Sequence, residues 1–180
     1  MKTYDIDYQL AYDVDWFLID ENNTIAHFAS GGGILPKVVA DNAQETIMVR
    51  NFFKEFLPVS EVSINPILNA YSPYITDENL KGFKFFASRG ILSYDKTFES
   101  HSGDIMYHLV ASPSVFLRME ELPDSVRKAL DKMRIKVNLR DFYKIDAGYI
   151  PWASLFEDYE IKPLYEPPAK KKKTFWWEVR

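Results

Sequence analysis

The chain has 180 residues, 47% hydrophobic and 16% aromatic, which is ample for a packed core and unlike the composition of a disordered chain. Its 22 basic and 26 acidic side chains give a net charge of −4, too mild to imply a nucleic-acid or membrane partner by charge alone. The lack of cysteine excludes disulfides, thiolate nucleophiles, iron–sulfur clusters and cysteine-held zinc.

Near the start, Tyr4, Ile6, Tyr8 and Leu10 alternate with Asp5, Asp7 and Gln9. This period of two predicts a half-buried strand. Residues 14–29 then hold two apolar, aromatic-rich runs around Asp20-Glu21-Asn22-Asn23. Asn and Asp tolerate left-handed dihedrals and bond their own backbone, so the stretch predicts a β-hairpin. Its first arm, Trp16 to Ile19, is a near-continuous apolar run that suggests a central strand covered on both faces.

Gly31-Gly32-Gly33 lets the chain leave the sheet. A phosphate cradle is the competing reading, but no phosphate-loop motif is present and Pro36 removes one amide such a site would use. From Lys37 to Leu57 the apolar residues recur at helical spacing, with Pro36 in the first turn and Pro58 as the stop. This is the longest predicted helix, lying across one face of the sheet. Val59 to Ile64 alternates briefly, and Asn65-Pro66 with Ser72-Pro73 marks a loop. Thr76 opens a second helix, with Asn79 where a capping box places Glu or Gln, and Arg89-Gly90 ends it.

Residues 91–98 and 105–111 read as strands joined by a polar loop. Leu122-Pro123-Asp124 opens a third helix, with Val126, Ala129, Leu130 and Met133 on one side. Residues 137–143 fit a further strand or irregular chain. Prolines 151, 163, 167 and 168 rule out a long helix beyond them. The tail joins Lys170-Lys171-Lys172-Lys173 to an aromatic run at 174–180, a plausible edge strand guarded by lysines. The pattern as a whole predicts one α+β domain over residues 1–180, a mainly antiparallel sheet with about three helices packed on it, and a Pro/Lys-rich segment from about residue 163. Trp16 or Phe17, Ile19, Ile25, Phe28, Ile47 and Phe53 are its expected core.

Candidate chemistry is sparse. Asp5 with Asp7, and Asp13 with Asp15, share a face if their segments are extended, yet no calcium-type loop completes an oxygen-ligand set, and a solvated acidic edge is the simpler account. His27, His101 and His108 lack the spacing of zinc ligands, and His27 in an apolar strand reads as a satisfied structural histidine. Ser30, His27 and Asp20 superficially list a triad without the nucleophile-elbow motif. The lysine and tryptophan tail has the chemistry to hold single-stranded nucleic acid, but the acidic total opposes it.

The residues Asp15-Trp16-Phe17, Asp20, Asn23, Ile25-Ala26-His27-Phe28 and Ser30-Gly31-Gly32 resemble the opening of small bacterial proteins, some of which look like immunity proteins of toxin systems. The resemblance covers fewer than about twenty residues and carries over no catalytic residue. What it implies is a cytoplasmic protein that acts by binding. The start of the chain lacks a signal-peptide core and no stretch is long enough to span a bilayer, which also points to the cytoplasm.

The expected function is therefore a non-catalytic, immunity-like binding domain that needs no cofactor. Six acidic side chains within the first 21 residues face only Lys2, so a basic protein is the expected partner, with Asp5, Asp7, Asp13 and Asp15 its contacts. The alternative is a hydrolase or transferase with scattered carboxylates and a histidine. A deep pocket gathering His27 or His108 with two carboxylates would favour it.

Overall fold

The computed structural model describes residues 2–66, 68, 75–97, 107–135, 138–140 and 149–150. Its centre is the predicted hairpin, β1 (Asp15–Ile19) against β2 (Ile25–Ala29), antiparallel with Phe17 opposite His27. Asp20 builds the turn. Its Oδ1 accepts the amides of Asn22 at 2.8 Å and Thr24 at 2.7 Å, and Asn23 takes the left-handed φ of 63° that such a loop requires.

Among the described residues four further strands join the sheet: β3 (Val62–Ile64), β4 (Leu92–Lys96), β5 (Tyr107–Pro113) and the short β6 (Tyr149–Ile150). The order is β1-β2-β4-β5-β3, with β6 also on β5. Among the strand pairs of the described residues only β2–β4 is parallel, so the fold is α+β with a mainly antiparallel sheet, as expected. Five α-helices lie among the described residues: α1 (Ile6–Ala11), α2 (Lys37–Asp41), α3 (Ala43–Glu55), α4 (Asp77–Ala87) and α5 (Asp124–Asp131). Among the described residues no helix is long and apolar enough to cross a membrane.

Each strand of the hairpin feeds two cores. On one face Trp16 stacks on Phe28 at 4.3 Å and Phe28 on Tyr94 at 4.8 Å, a ladder across β1, β2 and β4. On the other, Phe17 meets Phe53 of α3 and Phe86 of α4 at 5.3 and 5.5 Å. Of the expected core only Ile47 is half-buried rather than buried.

Three expectations need correction. Residues 4–10 are not a strand: Asp5 caps α1 by accepting the Tyr8 amide at 2.8 Å, and the Tyr8 ring stacks on Tyr4 at 5.2 Å and meets Tyr12, tilted, at 4.6 Å, contacts at the i, i+4 spacing of a helix. Residues 37–57 are not one helix. Asn42, at φ −112° and ψ 44°, separates α2 from α3 and turns its side-chain amide back to the Val38 carbonyl at 2.8 Å. β1 is not a central strand but an edge of the sheet.

Val39 of α2 packs in the core that holds Trp16, whereas Val49 and Phe53 of α3 pack in the core that holds Phe17. α3 itself carries the chain from one core to the other, since its Ala43 and Ile47 pack in the first and its Val49 and Phe53 in the second. The outer side of β1 is met in part by residues 133–135, where the Ile19 amide donates to the Met133 carbonyl at 3.3 Å and the Ile135 amide to the Ile19 carbonyl at 2.9 Å, which blunts an edge that would otherwise invite pairing with another chain.

Elsewhere the chain follows its local signals. Thr76 and Asn79 form the expected capping box, with the Thr76 amide on Asn79 Oδ1 at 3.0 Å and the Asn79 amide on Thr76 Oγ1 at 3.3 Å. After α4 the chain turns at Gly90, φ 82°. Val126, Ala129 and Leu130 of α5, and Met133 beyond it, are all buried. The expectations for Ser72-Pro73, the loop at 99–104, most of residues 137–143 and the segment from 151 onward, Lys170 to Lys173 included, lie outside the described residues.

Candidate functional site

The acidic residues singled out in the sequence separate into three places. Asp5 and Asp7 are exposed on α1, facing an open groove of about 510 Å³ between α1 and α2 whose lining also includes Ile6, Ile34, Lys37 and Asp41. Lys37 is paired with Asp41 along α2, so the groove keeps an excess of negative charge. Asp13 closes the glycine turn instead, its Oδ1 accepting the Gly31 amide at 2.8 Å. Asp15 lies on β1 with its carboxylate 3.0 Å from His27 Nε2.

The helix carrying Asp5 and Asp7 is turned inside out. Gln9 is its buried side chain, donating through Nε2 to the Tyr4 carbonyl at 2.8 Å and accepting the Leu35 amide on Oε1 at 2.8 Å. Ile6 and Leu10, one helical turn apart, are 62% and 45% exposed, and Tyr12 is 56% exposed. A polar residue satisfied inside and apolar ones left outside is the reverse of ordinary amphipathic packing, and a contiguous apolar patch rimmed by charge marks an interaction surface.

His27 sits at the centre of a different arrangement. Strand pairing sets His27 of β2 opposite Ser93 of β4, with His27 Nδ1 2.8 Å from Ser93 Oγ, and Asp15 of β1 reaches His27 diagonally from its place opposite Ala29. Burial works to raise the Asp15 carboxyl, but the hydrogen bond and charge interaction with His27, reinforced by Lys54 and Arg50, hold it below the ordinary carboxylate value. Serine, imidazole and carboxylate in a row is the order of an acyl-transfer relay. Here Ser93 is 0% exposed and the His27 ring lies flat on Phe86, centroids 3.9 Å apart. With no approach for a substrate carbonyl to Ser93 Oγ, the row is a polar strut tying three strands together. Ser30 and Asp20 take no part in it: Ser30 Oγ accepts the Val14 amide at 2.8 Å, and Asp20 shapes the hairpin turn.

His108 lies on β5 opposite Asp95 of β4. It lines a cavity of about 210 Å³ together with Asp13, Asp95, Asn79 and the side chains of Leu80 and Phe83. Burial pushes its imidazole down to about 4. Among the described residues no group of three histidines or carboxylates is arranged to hold a metal ion. His101 lies outside the described residues.

Sequence reasoning missed Ile6, Leu10 and Tyr12 as an exposed face, because reading the segment as a strand pointed Ile6 and Leu10 inward. It missed Ser93 and Asp95 because they reach His27 and His108 only through strand pairing. The cap spacing from Asp5 to Tyr8 was the available signal for α1.

The described residues thus define an α+β protein with helices packed on a mixed, mainly antiparallel sheet and an acidic, partly apolar N-terminal face. Compared with protein-family models, curated proteins and solved structures, the chain matches none.

Proposed function

We propose that the protein is a non-catalytic binding module, immunity-like in the sense of the resemblance carried by residues 15–32, whose α1–α2 face holds a basic protein partner. The observation that carries this reading is the inverted α1, with Ile6 and Leu10 exposed beside Asp5 and Asp7. An apolar patch supplies the area that a partner dries, and the surplus of carboxylates steers a partner of opposite charge. A second copy of the chain fits poorly, since it brings the same carboxylates.

The hydrolase or transferase alternative draws on the His108 cavity, which gathers a histidine with two carboxylates. Two features weigh against it. A general base works best with a pKa near the operating pH, and His108 at about 4 is far below neutrality. The cavity, at about 210 Å³, is also smaller than the roughly 300–1,000 Å³ of ordinary ligand pockets.

The test is capture of the partner from the native host, followed by reconstitution with the purified partner and measurement of association across salt. Asp5→Asn with Asp7→Asn is expected to slow association about ten-fold at low salt and flatten its salt dependence. Ile6→Asp with Leu10→Asp is expected to speed dissociation. Asp13→Asn and Asp15→Asn should add little, because those carboxylates already hold Gly31 and His27. Equal association and dissociation of all four forms would exclude this face as the interface.

A further inference from the structure

The face made by α1 and α2 is acidic and apolar at once. Asp5, Asp7 and Asp41 line its groove of about 510 Å³, where Lys37 is the one cation among the described residues and is paired with Asp41. Ile6 and Leu10 stand 62% and 45% exposed on the same helix. Covering such a face takes positive charge and large apolar groups side by side, so that the carboxylates are neutralised as the aliphatic side chains are dried.

One stretch of the chain matches both halves of that demand. Lys170-Lys171-Lys172-Lys173 runs directly into Thr174-Phe175-Trp176-Trp177, and no acidic residue stands between Pro167 and Trp177. Each of its aromatic side chains brings on the order of 150–250 Å² of surface to bury. The lysines would also relieve the repulsion among like charges on the acidic face.

Reach permits the contact. The last described residue, Ile150, pairs with Tyr107, and Tyr107 shares a core with Tyr4 and Leu35, which line the groove. From Ile150 to Lys170 is about 20 residues, up to about 70 Å of chain, whereas a compact domain of about 150 residues is roughly 40 Å across. Linkage raises the effective concentration of such a segment to the order of mM, so weak contacts suffice to hold it.

We propose that residues 170–177 dock on the α1–α2 face of their own chain, the lysines against Asp5 and Asp7 and the aromatic side chains over Ile6 and Leu10. The segment then covers the surface assigned above to a basic partner and acts as its built-in competitor. The competition rests on that reading of the face, whereas the docking is tested on the chain alone.

The chain has no cysteine, so Glu178→Cys gives the full isotope-labelled protein a single attachment point for a nitroxide. The amide signals of Ile6, Leu10 and Val38 are expected to lose intensity, while those of Val62 to Ile64, on the edge of the sheet opposite β1, keep theirs. The loss should shrink in 1 M salt, where the screening length falls from about 8 Å to about 3 Å, and disappear when Lys170 to Lys173 are all changed to Gln. Three results would overturn the docking: no loss at Ile6 and Leu10, an equal loss at Val62 to Ile64, or a loss that arises only between mixed chains, one bearing the nitroxide and the other the isotope, which would place the segment on a second copy. These arms keep the native lysines, so they decide the matter even if the Gln variant fails to fold. With the purified partner, the Gln variant is expected to associate at least about three-fold faster than the unaltered chain. Equal rates in a chain that shows docking would mean that the partner binds elsewhere, which separates failure of the partner reading from failure of the docking.

Discussion

His108 and Asp15 make the protein sensitive to acid through opposite ends of the same physics. His108 is 9% exposed, and burial lowers its pKa from 6.5 to about 4. Between these values the unfolded chain binds a proton that the folded chain does not, so stability falls as pH drops from about 6.5 to about 4. The full span is worth roughly 3 kcal/mol at 1.36 kcal/mol per unit. For Asp15 the folded carboxyl lies below its unfolded value, so its contribution is present above about pH 4 and is lost as pH falls further. Urea unfolding at a series of pH values should therefore show two separable effects. His108→Gln flattens the loss between pH 6.5 and 4, and Asp15→Asn flattens the loss below it while costing stability at neutral pH through the broken bond to His27. An unchanged slope in His108→Gln would mean that the ring titrates normally in the folded chain.

At the scale of elements, two glycines near the same helix have opposite roles. Gly82 lies within α4, exposed, and a Cβ built there meets nothing within 4 Å. Gly82→Ala should raise stability by about 0.5–1 kcal/mol, since alanine loses less backbone entropy in a helix. Gly90 has φ 82°, and a Cβ there falls 2.6 Å from the Leu117 amide nitrogen, whose hydrogen bond to the Gly90 carbonyl spans 2.9 Å. Gly90→Ala should cost about 1–3 kcal/mol, because both the dihedral and the space are wrong for a side chain. Denaturant midpoints measure both, and a loss of stability in Gly82→Ala would count against the helix assignment.

The same elements show what a local pattern encodes. The Thr76–Asn79 cap and the hairpin turn around Asp20 were legible because neighbouring residues make the bonds. α1 was misread because Tyr4, Tyr8 and Tyr12 satisfy a period of two and a period of four at once, and the Asp5 cap decides between them. The Asn42 break costs no apolar periodicity, so the spacing alone does not announce it. Ser93, 66 residues from His27, becomes its partner through a parallel pairing whose register is written in no local signal. The acidic N-terminus was visible from composition, whereas the exposure of Ile6 and Leu10 beside it follows from how Gln9 anchors the helix.

For the whole molecule, the sheet is a shared wall between two cores, and this decides how the protein unfolds. Trp16 and Phe17 are consecutive and both 0% exposed, one in each core, and so are Ile25 and Ala26, at 1% and 0%. A strand that lost its packing on one side would lose the alignment of its side chains on the other. α3 strengthens the coupling, since Ala43 packs in one core and Phe53 in the other. Both cores should therefore melt in one cooperative step. Phe28→Ala probes the Trp16 side and Phe53→Ala the Phe17 side, each expected to cost about 3–5 kcal/mol. In each variant, urea transitions followed by far-ultraviolet circular dichroism and by hydrogen exchange at β2 and β4 should shift together to the same lower midpoint. If Phe53→Ala released the α3–α4 side at low denaturant while β2 and β4 stayed protected to the original midpoint, the two cores would be separate cooperative units and the shared-wall account would fail.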